Sequence, residues 1–290
     1  YHVHRGDLLG VLVEAAEAEP HITLSSGRAV TDVQQSVGRA TLILDGGEAS
    51  GDVVIGADGI HSTVRQMLWN DSAPIFTGHI AWRALVPSER LPTGLVRPAA
   101  TAWWGPRRHF VHYYVRGGAL VNCVCVVEKT GWEVESWTER GDVAELRAEL
   151  AGWSPDLQVV LDAIPSTSLF KWALFDRPPM QHWGTGRVTL LGDACHPTLP
   201  FMAQGAAMAI EDAAVLSGCL GAHPVEDALA RYADIRRRRT ASVQAGSRRN
   251  GRVFHLSGAA AWARNLVAGL AGDRTMARLY RYDALSAGRS

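Results

Sequence analysis

LLGDACHPTLPFMAQGAAMAIEDAAVL, residues 190–216, is the stretch that decides the fold. An apolar run ends on Asp193, two prolines follow, and a helix with almost no side chain begins near Gly205. A carboxylate at the carboxyl edge of an α/β sheet can accept hydrogen bonds from ligand hydroxyls. A bare helix N-terminus offers backbone N–H groups and a positive dipole end to an electron-rich ring. On spacing alone, a tight strand-to-helix turn packed with small residues explains the stretch equally well.

The composition is that of an ordinary globular enzyme. The 290 residues are 47% hydrophobic and 20% charged with a formal net charge of +0, which argues against nucleic acid or a membrane as a bulk partner. No apolar run approaches the roughly 20 residues that a membrane helix needs. Four cysteines without CxxC or zinc spacing predict reduced thiols, no metal site and a cytoplasmic location.

Several patterns predict helices. Residues 5–18 have the apolar spacing of an amphipathic helix, and three later segments, 142–163, 204–220 and 225–251, are predicted to be helical. The Ala-rich remainder, 252–290, is predicted to be helical as well.

Other patterns predict strands. Residues 21–33 and 39–47 alternate like antiparallel strands. DVVIGADG (52–59) and GRVTLLGDA (186–194) are apolar runs typical of buried parallel strands, and Ser62 is placed to cap the helix that follows the first. From about Thr77 to Val127 a β-rich, aromatic pattern predicts a separate sheet with one buried face.

Three ordered signatures carry a family resemblance. HRGDLLGVLV (4–13), DVVIGADGIHSTVR (52–65) and residues 190–216 resemble the Arg-x-x-Leu-x-x-x-Leu helix, the Asp-Gly signature and the second flavin-binding signature of FAD-dependent aromatic hydroxylases. These enzymes are the single-component flavoprotein monooxygenases. GHIAWRALVPSERLP (78–92) and FKWALFDRPP (170–179) most resemble the salicylate and hydroxybenzoate hydroxylase branch.

The resemblance implies roles for residues around the opening stretch. Asp193 is expected to bind the ribityl hydroxyls of FAD, and Gly205 with Ala206 to donate N–H groups to the flavin pyrimidine edge. Pro200 matches a family proline whose carbonyl faces the substrate ring. His196, which follows the signature, is expected to be structural.

Two earlier signatures contribute further FAD-binding residues. Arg5 is expected to contact the ribityl–diphosphate region, and Asp58 with Gly59 to lie near the diphosphate and the NAD(P)H path. A surface salt bridge is the alternative role for Arg5, and a helix-capping turn is the alternative for Asp58.

The resemblance also implies the architecture. We expect an α/β fold with an α+β insert: a Rossmann-like FAD-binding domain (1–74 and 166–252) intertwined with a β-sheet substrate domain (75–165) and a C-terminal helical segment (253–290). Family members open with a G-x-G-x-x-G loop that holds the FAD diphosphate. This sequence contains no such loop, so we expect an N-terminal truncation that removes the first βαβ unit, and this chain alone need not hold FAD.

The strand RRHFVHYYVR (107–116) is the predicted wall of the substrate pocket. Side chains alternate along a strand, so His109 and Tyr113 share one face while His112 and Tyr114 take the other. The family's substrate strand carries a similar His and Tyr, and His109 with Tyr113 is the favoured pair. The pair His112 and Tyr114 is the open alternative, as is a purely structural role for all four. His109 is the candidate base for the phenol.

The chemistry implied by the resemblance uses FAD with NADH or NADPH as electron donor. Oxygen adds to the reduced flavin at C4a, and the hydroperoxide transfers one oxygen atom to a phenolic acid such as salicylate or a hydroxybenzoate. The expected partners are therefore a small aromatic substrate and O₂, with the protein a monomer or homodimer. Two alternatives stay open: a flavoprotein oxidoreductase of the same fold that does not hydroxylate, and a binding remnant that has lost FAD.

Overall fold

The computed structural model describes residues 2–129, 131, 134, 138–271 and 279–289. The chain divides into two compact units, each assembled from three separate segments. Unit 1 is Tyr1–Ser26, Phe76–Leu174 and Phe254–Trp262; unit 2 is Gly27–Ile75, Phe175–Val253 and Ala263–Ser290. Residues 1–26 and 166–174 group with the β-rich segment, whereas the sequence-based division places them with the FAD-binding segments. That division by function stays a prediction.

Groups of strands are separated by helices along the described chain. The helices are α1 Arg5–Ala18, α2 Thr63–Trp69, α3 Val143–Glu149, α4 Pro155–Asp162, α5 Gly205–Ala222, α6 Val225–Phe254, α7 Gly258–Ala271 and α8 Ala284–Arg289. The strands are β1 Val30–Ser36, β2 Arg39–Leu44, β3 Gly47–Gly51, β4 Val54–Gly56, β5 Ile75–Pro87, β6 Thr101–Gly105, β7 Arg108–Val115, β8 Leu120–Glu128, β9 Phe170–Asp176, β10 Gly184–Thr185 and β11 Val188–Leu190. This mixture confirms the predicted α/β class.

Unit 1 is built on a five-stranded sheet in the order β6-β7-β8-β5-β9. The pairings β6–β7, β7–β8 and β5–β8 are antiparallel. One face of the sheet packs on α3 and α4 through a core that includes Trp82, Phe110 and Leu157. The opposite face is buried in part: Ala81 and Val126 are inaccessible, whereas Arg83, Val111 and Val124 are half-buried. The separate sheet is therefore confirmed; one face carries the apolar core, and the second face is partly buried as well.

Unit 2 contains two small sheets. In the sheet ordered β10-β11-β4, strand β11 runs parallel to β4, with Val188 opposite Val54 and Leu190 opposite Gly56. Strands β1, β2 and β3 form an antiparallel meander. The core of this unit joins β11 to α5 and α6 through apolar side chains such as Leu190, Val215 and Tyr232. The two predicted parallel strands are confirmed.

Local signals set several element boundaries. The Oγ of Ser62 accepts a hydrogen bond from the N–H of Arg65 at 2.9 Å and so caps α2 as predicted. The predicted helix 142–163 is two helices, because Gly152 takes a left-handed φ of 76° and Pro155 begins a new helix at its favoured first turn. The predicted strand at 21–33 begins only at Val30.

The first helix differs from a usual amphipathic helix. No residue of α1 is buried, and Leu9 and Leu12 are 61% and 54% exposed. The spacing therefore predicted the helix correctly but not the burial of its apolar side chains.

The structure bears on the expectations about the cysteines and about membrane-spanning helices. All four cysteines are unpaired thiols, as predicted. Among the described helices, α5 is apolar and long enough to cross a membrane by length and composition alone. Core helices of soluble proteins pass the same test, so this is weak evidence.

Candidate functional site

The parallel strands of unit 2 bring two predicted acidic residues to one sheet edge. Asp58 follows β4 and Asp193 follows β11, and the register pairs Leu190 with Gly56. Because the strands are parallel, both chains leave the sheet at the same edge, where open α/β sheets bind ligands. Asp193 is exposed in a turn of 3₁₀ helix, Gly192–Ala194.

The carboxylate of Asp58 accepts hydrogen bonds from the start of α2. Its Oδ1 accepts from the Oγ of Ser62 at 2.5 Å, and its Oδ2 accepts from the N–H of Val64 at 3.1 Å. Asp58 therefore caps the helix, which is the alternative role that the sequence left open. Gly59 has a φ of 79°, and this left-handed backbone lets the chain turn from β4 into α2. Their contact with a diphosphate stays a prediction.

The N-terminus of α5 has no side-chain cap. The residue before it, Gln204, makes no side-chain hydrogen bond to the helix, and Gly205 opens the helix with Ala206 exposed beside it. Pro200 is exposed at the start of a 3₁₀ turn that ends on Ala203, whose φ is 51°. The first N–H groups of α5 are thus presented by small residues.

A buried ion cluster holds the turn that carries Asp193. The Oδ2 of Asp212 lies 2.5 Å from Nε2 of His196 and accepts from the N–H of Gly192 at 3.1 Å. Its Oδ1 accepts from Nε of Arg236 at 2.7 Å. Burial opposes the charge of Asp212, yet the hydrogen bonds from His196 and the positive charge of Arg236 keep the pKa of this carboxyl below its ordinary value. Asp212 therefore fixes the geometry around Asp193.

Unit 1 contains a cavity beside the start of α1. Its volume is about 380 Å³, and its lining includes Arg5, Arg83, Phe170 and Trp172. Nε of Arg83 donates to Oδ1 of Asn122 at 3.0 Å, and no carboxylate among the described residues pairs with Arg83. Burial lowers the pKa of Arg83, while the nearby Tyr113 acts in the opposite direction. The cavity has the size of a small-ligand pocket and carries net positive charge.

The two candidate pairs on β7 lie on opposite faces of the sheet. His112 is opposite Cys123, and Tyr114 is opposite Val121. The side chains of Cys123 and Val121 belong to the core packed on α3 and α4. His109 and Tyr113 lie on the other face. The ring of Tyr113 lies 4.5 Å from the ring of His2 in a tilted arrangement, and Tyr113 is close enough to Arg83 for the two side chains to influence each other's pKa.

His109 is buried and linked to a second histidine. It is 3% exposed, and its Nδ1 lies 2.8 Å from Nε2 of His255. Nδ1 of His255 lies 2.8 Å from Oε1 of Glu128. Burial, together with the charges of His255 and His79, lowers the pKa of His109 to about 3. His109 is therefore neutral at working pH, and its lowered pKa makes it a weak proton acceptor unless the proton is passed on.

The residues of unit 2 fit the flavin part of FAD. The uncapped N–H groups at Gly205 and Ala206 are donors that need an acceptor, and a Cβ on Gly205 would meet only Thr198 at 3.5 Å. Exposed Asp193 supplies an acceptor for hydroxyl groups. Donors, acceptor and small side chains match the polar edge of a planar ring and a polyol chain.

The family of the chain follows from a match over most of its length. Residues 3–247 match the family model described as FAD binding domain. The chain therefore belongs to the FAD-binding-domain family, and the predicted resemblance to its aromatic hydroxylases is confirmed by the relatives below.

The relatives are aromatic-ring monooxygenases. The chain is 38% identical over 258 residues to 3-amino-4-hydroxybenzoate 2-monooxygenase PtnB3 of Streptomyces platensis, covering 88% of this chain and 64% of that protein. It is 37% identical over 283 residues to 3-hydroxybenzoate 6-hydroxylase of Klebsiella oxytoca, covering 96% and 69%. A salicylate hydroxylase substrate complex superposes with a TM-score of 0.85 at 28% identity, covering 99% of this chain and 74% of that one. The chain thus spans about two thirds of the length of these relatives.

Sequence reasoning missed three side chains of unit 1. Arg83 lies inside the AWRALV motif and its charge gave a signal, but only the fold shows that it faces the cavity. His255 and Glu128 lie 127 residues apart in the chain, and no local pattern joins them to His109. In unit 2, Asp212 lies within the predicted helix, and nothing in the helical pattern indicates its buried contacts.

Proposed function

We propose that the full-length protein is an FAD-dependent, NAD(P)H-consuming monooxygenase that hydroxylates a phenolic aromatic acid such as salicylate or a hydroxybenzoate. The observation that carries the proposal is the placement of a buried neutral histidine, His109, on the same sheet face as Tyr113. The proposal is supported by the family of the chain and by relatives whose names specify hydroxybenzoates.

The cofactor-binding roles follow from the groups that unit 2 presents. Asp193 would accept hydrogen bonds from the ribityl hydroxyls, and Gly205 with Ala206 would donate N–H groups to the flavin ring. Asp212 positions the turn of Asp193. Bound FAD supplies the electron transfer from NADH or NADPH and the activation of O₂.

Arg5 has two candidate roles. It begins α1 and lines the cavity of unit 1. In one role its charge would bind a phosphate or ribityl group of FAD, and in the other it would bind the substrate carboxylate. Its side chain is exposed, and its positive charge adds to the burial that lowers the pKa of Arg83. Gly59 and Asp58 would lie near the diphosphate through backbone groups, since the Asp58 carboxylate caps α2.

The substrate is recognised by charge and by proton acceptance. Two guanidinium groups, those of Arg5 and Arg83, make the cavity attractive to a carboxylate. Trp172 and Phe170 provide apolar rings against which an aromatic ring can pack. His109 and Tyr113 are not among the lining residues of this cavity but lie on the same sheet face as Arg83. From there His109 would accept the phenol proton, which raises the electron density of the ring, and Tyr113 would hydrogen-bond the substrate. The carbonyl of Pro200 would face the ring.

The test is a comparison of NADH and NADPH oxidation by the FAD-loaded full-length protein with salicylate, 3-hydroxybenzoate, 4-hydroxybenzoate and benzoate. The proposal expects a phenolic acid to stimulate oxidation and to gain one hydroxyl group, with benzoate inert. Stimulated oxidation that yields only hydrogen peroxide would favour the non-hydroxylating oxidoreductase. A protein that binds no FAD would favour the binding remnant.

A further inference from the structure

A hydrogen-bonded series of side chains leads from His109 to the surface of unit 1. Nδ1 of His109 lies 2.8 Å from Nε2 of His255, and Nδ1 of His255 lies 2.8 Å from Oε1 of Glu128. His109 and His255 are buried, whereas the Glu128 side chain is 35% exposed. The series therefore begins in the protein interior and ends at water.

The carboxylate determines which nitrogen of each histidine carries the proton. Burial opposes the charge of Glu128, but the hydrogen bond from His255 keeps the pKa of Glu128 below its ordinary value, so this side chain is ionised. An ionised carboxylate only accepts hydrogen bonds, and Nδ1 of His255 must donate. Nε2 of neutral His255 is then an acceptor, and Nδ1 of His109 donates to it. The lone pair of His109 is thereby placed on Nε2.

We propose that Glu128 and His255 are positioning residues that hold His109 as its Nδ1–H tautomer and pass on the proton that His109 takes from the substrate phenol. This inference rests on the proposed function. The phenol O–H bond breaks and an N–H bond forms at Nε2 of His109. The Nδ1 proton of His109 moves to Nε2 of His255, and the Nδ1 proton of His255 moves to Glu128. Protonation of the product phenolate reverses these transfers and restores the tautomers.

Onward transfer is needed because the surroundings of His109 disfavour an imidazolium ion. Phe254 packs edge-on against its ring at a centroid distance of 5.3 Å. Other charged or titratable groups also face His255 and Glu128. They are His79 on β5, Arg107 before β7, whose Nε lies 3.4 Å from Glu128, and Arg108 on β7. These groups favour an ionised Glu128 as the end of the series.

The tautomers are measured first, on the purified protein without flavin or substrate. Histidine labelled with ¹⁵N reports by NMR which ring nitrogen is protonated, and the variants His109→Gln and His255→Gln assign the signals. We expect Nδ1–H at both residues at pH 7. In Glu128→Ala, which removes the acceptor, both should shift toward the Nε2–H form that free histidine favours. Nε2–H at His109 would overturn the inference. An unprotonated Nδ1 at His255, which a bound metal ion would produce, would also overturn it.

Proton transfer is then separated from positioning by Glu128→Gln in the FAD-loaded full-length protein. The glutamine oxygen still accepts from His255, so the Nδ1–H tautomers should persist, but the amide cannot take the proton. We expect kcat for hydroxylation to fall about tenfold or more, with KM within about twofold and FAD content unchanged. An unchanged kcat overturns the proton-passing role.

Glu145→Gln is the matched control. Glu145 binds Lys129 and Lys171 in the same unit, so its loss tests whether removing any ion-paired glutamate has the same effect. Neither tautomers nor kcat should change. Nδ1–H tautomers in a protein that hydroxylates no phenolic acid would contradict the proposed function alone, whereas hydroxylation with Nε2–H at His109 would contradict this inference alone.

Discussion

Each unit places a histidine against a carboxylate, and the two pairs are built differently. In unit 2, Nε2 of His196 lies 2.5 Å from Asp212, which is fully buried and also bound by fully buried Arg236. In unit 1, Nδ1 of His255 lies 2.8 Å from Glu128, whose side chain reaches water. The same residue types therefore appear in two environments.

The difference shows how burial and a neighbouring cation assign a role to a carboxylate. The contacts with His196 and the Arg236 guanidinium outweigh the effect of burial and keep Asp212 ionised. Asp212 serves to hold the turn before α5. Partial exposure lets Glu128 exchange protons with water. We conclude that the cluster of unit 2 is structural and that the cluster of unit 1 is suited to proton transfer.

The largest effect should come from breaking the cluster of unit 2. Asp212→Ala removes one of the two carboxylates that lie 2.7 Å from buried Arg236, and it also removes the acceptor of His196 and of the Gly192 N–H. The free energy of unfolding should therefore fall by about 3–5 kcal/mol. Urea unfolding followed by circular dichroism measures the loss. The matched control is Asp234→Asn, because Asp234 pairs with Arg237 at an exposed position, where the change should stay below about 1 kcal/mol. Equal losses in the two variants would contradict the structural role of Asp212.

The next effect should come from the first histidine of the series in unit 1. His109→Gln in the FAD-loaded full-length protein should slow hydroxylation about 10²- to 10⁴-fold, the usual contribution of a general base. The flavin spectrum and FAD content should not change, because the FAD-binding groups lie in other segments. Product formation is measured by chromatography.

His112→Leu on the same strand is the control for that experiment. His112 lies on the opposite face of β7, so its replacement should change hydroxylation by less than about threefold. A slow His112→Leu enzyme with a fast His109→Gln enzyme would reverse the assignment of the two faces.

The pH dependence of stability sharpens the comparison further. In the folded protein burial lowers the pKa of His109 to about 3, against an ordinary value of 6.5. Between these values the unfolded state binds the proton and the folded state does not, so acid destabilises the protein as pH falls below about 6.5. At pH 5 this effect should lower the free energy of unfolding by about 2 kcal/mol, and His109→Gln should abolish that decrease. Chemical unfolding at pH 5 and 8 measures it.

An exposed histidine provides the control for the pH experiment. His223 follows α5 at the surface, and His223→Gln should keep the wild-type dependence on pH. Identical pH dependence in wild type and His109→Gln would contradict the burial of a neutral His109.

The smallest effect should be on stability in His112→Leu. His112 is buried, and among the described residues neither of its ring nitrogens has a hydrogen-bond partner. Burying a polar group without a partner costs free energy, so leucine should leave thermal stability unchanged or raise it by about 1 kcal/mol. A loss above about 2 kcal/mol, measured by calorimetry, would mean that the imidazole makes a necessary contact.

The sequence was sufficient for features set by local chemistry. Apolar runs predicted β4 and β11, Ser62 predicted the cap of α2, and strand alternation placed His109 and His112 on opposite faces. Side-chain partners could not be predicted in this way. Asp58 turned out to cap α2, and the link from His109 to Glu128 depends on His255, which folding brings from the far end of α6. Such long-range contacts have no periodicity to reveal them.

The most direct test of the central claim is the origin of the oxygen atom in the product. The FAD-loaded full-length protein is supplied with NADH or NADPH, a phenolic acid and ¹⁸O₂, and the mass of the product is measured by mass spectrometry. We expect one ¹⁸O atom in the ring hydroxyl of the product. Consumption of the nicotinamide cofactor with unlabelled aromatic acid recovered unchanged would contradict the assignment of a monooxygenase.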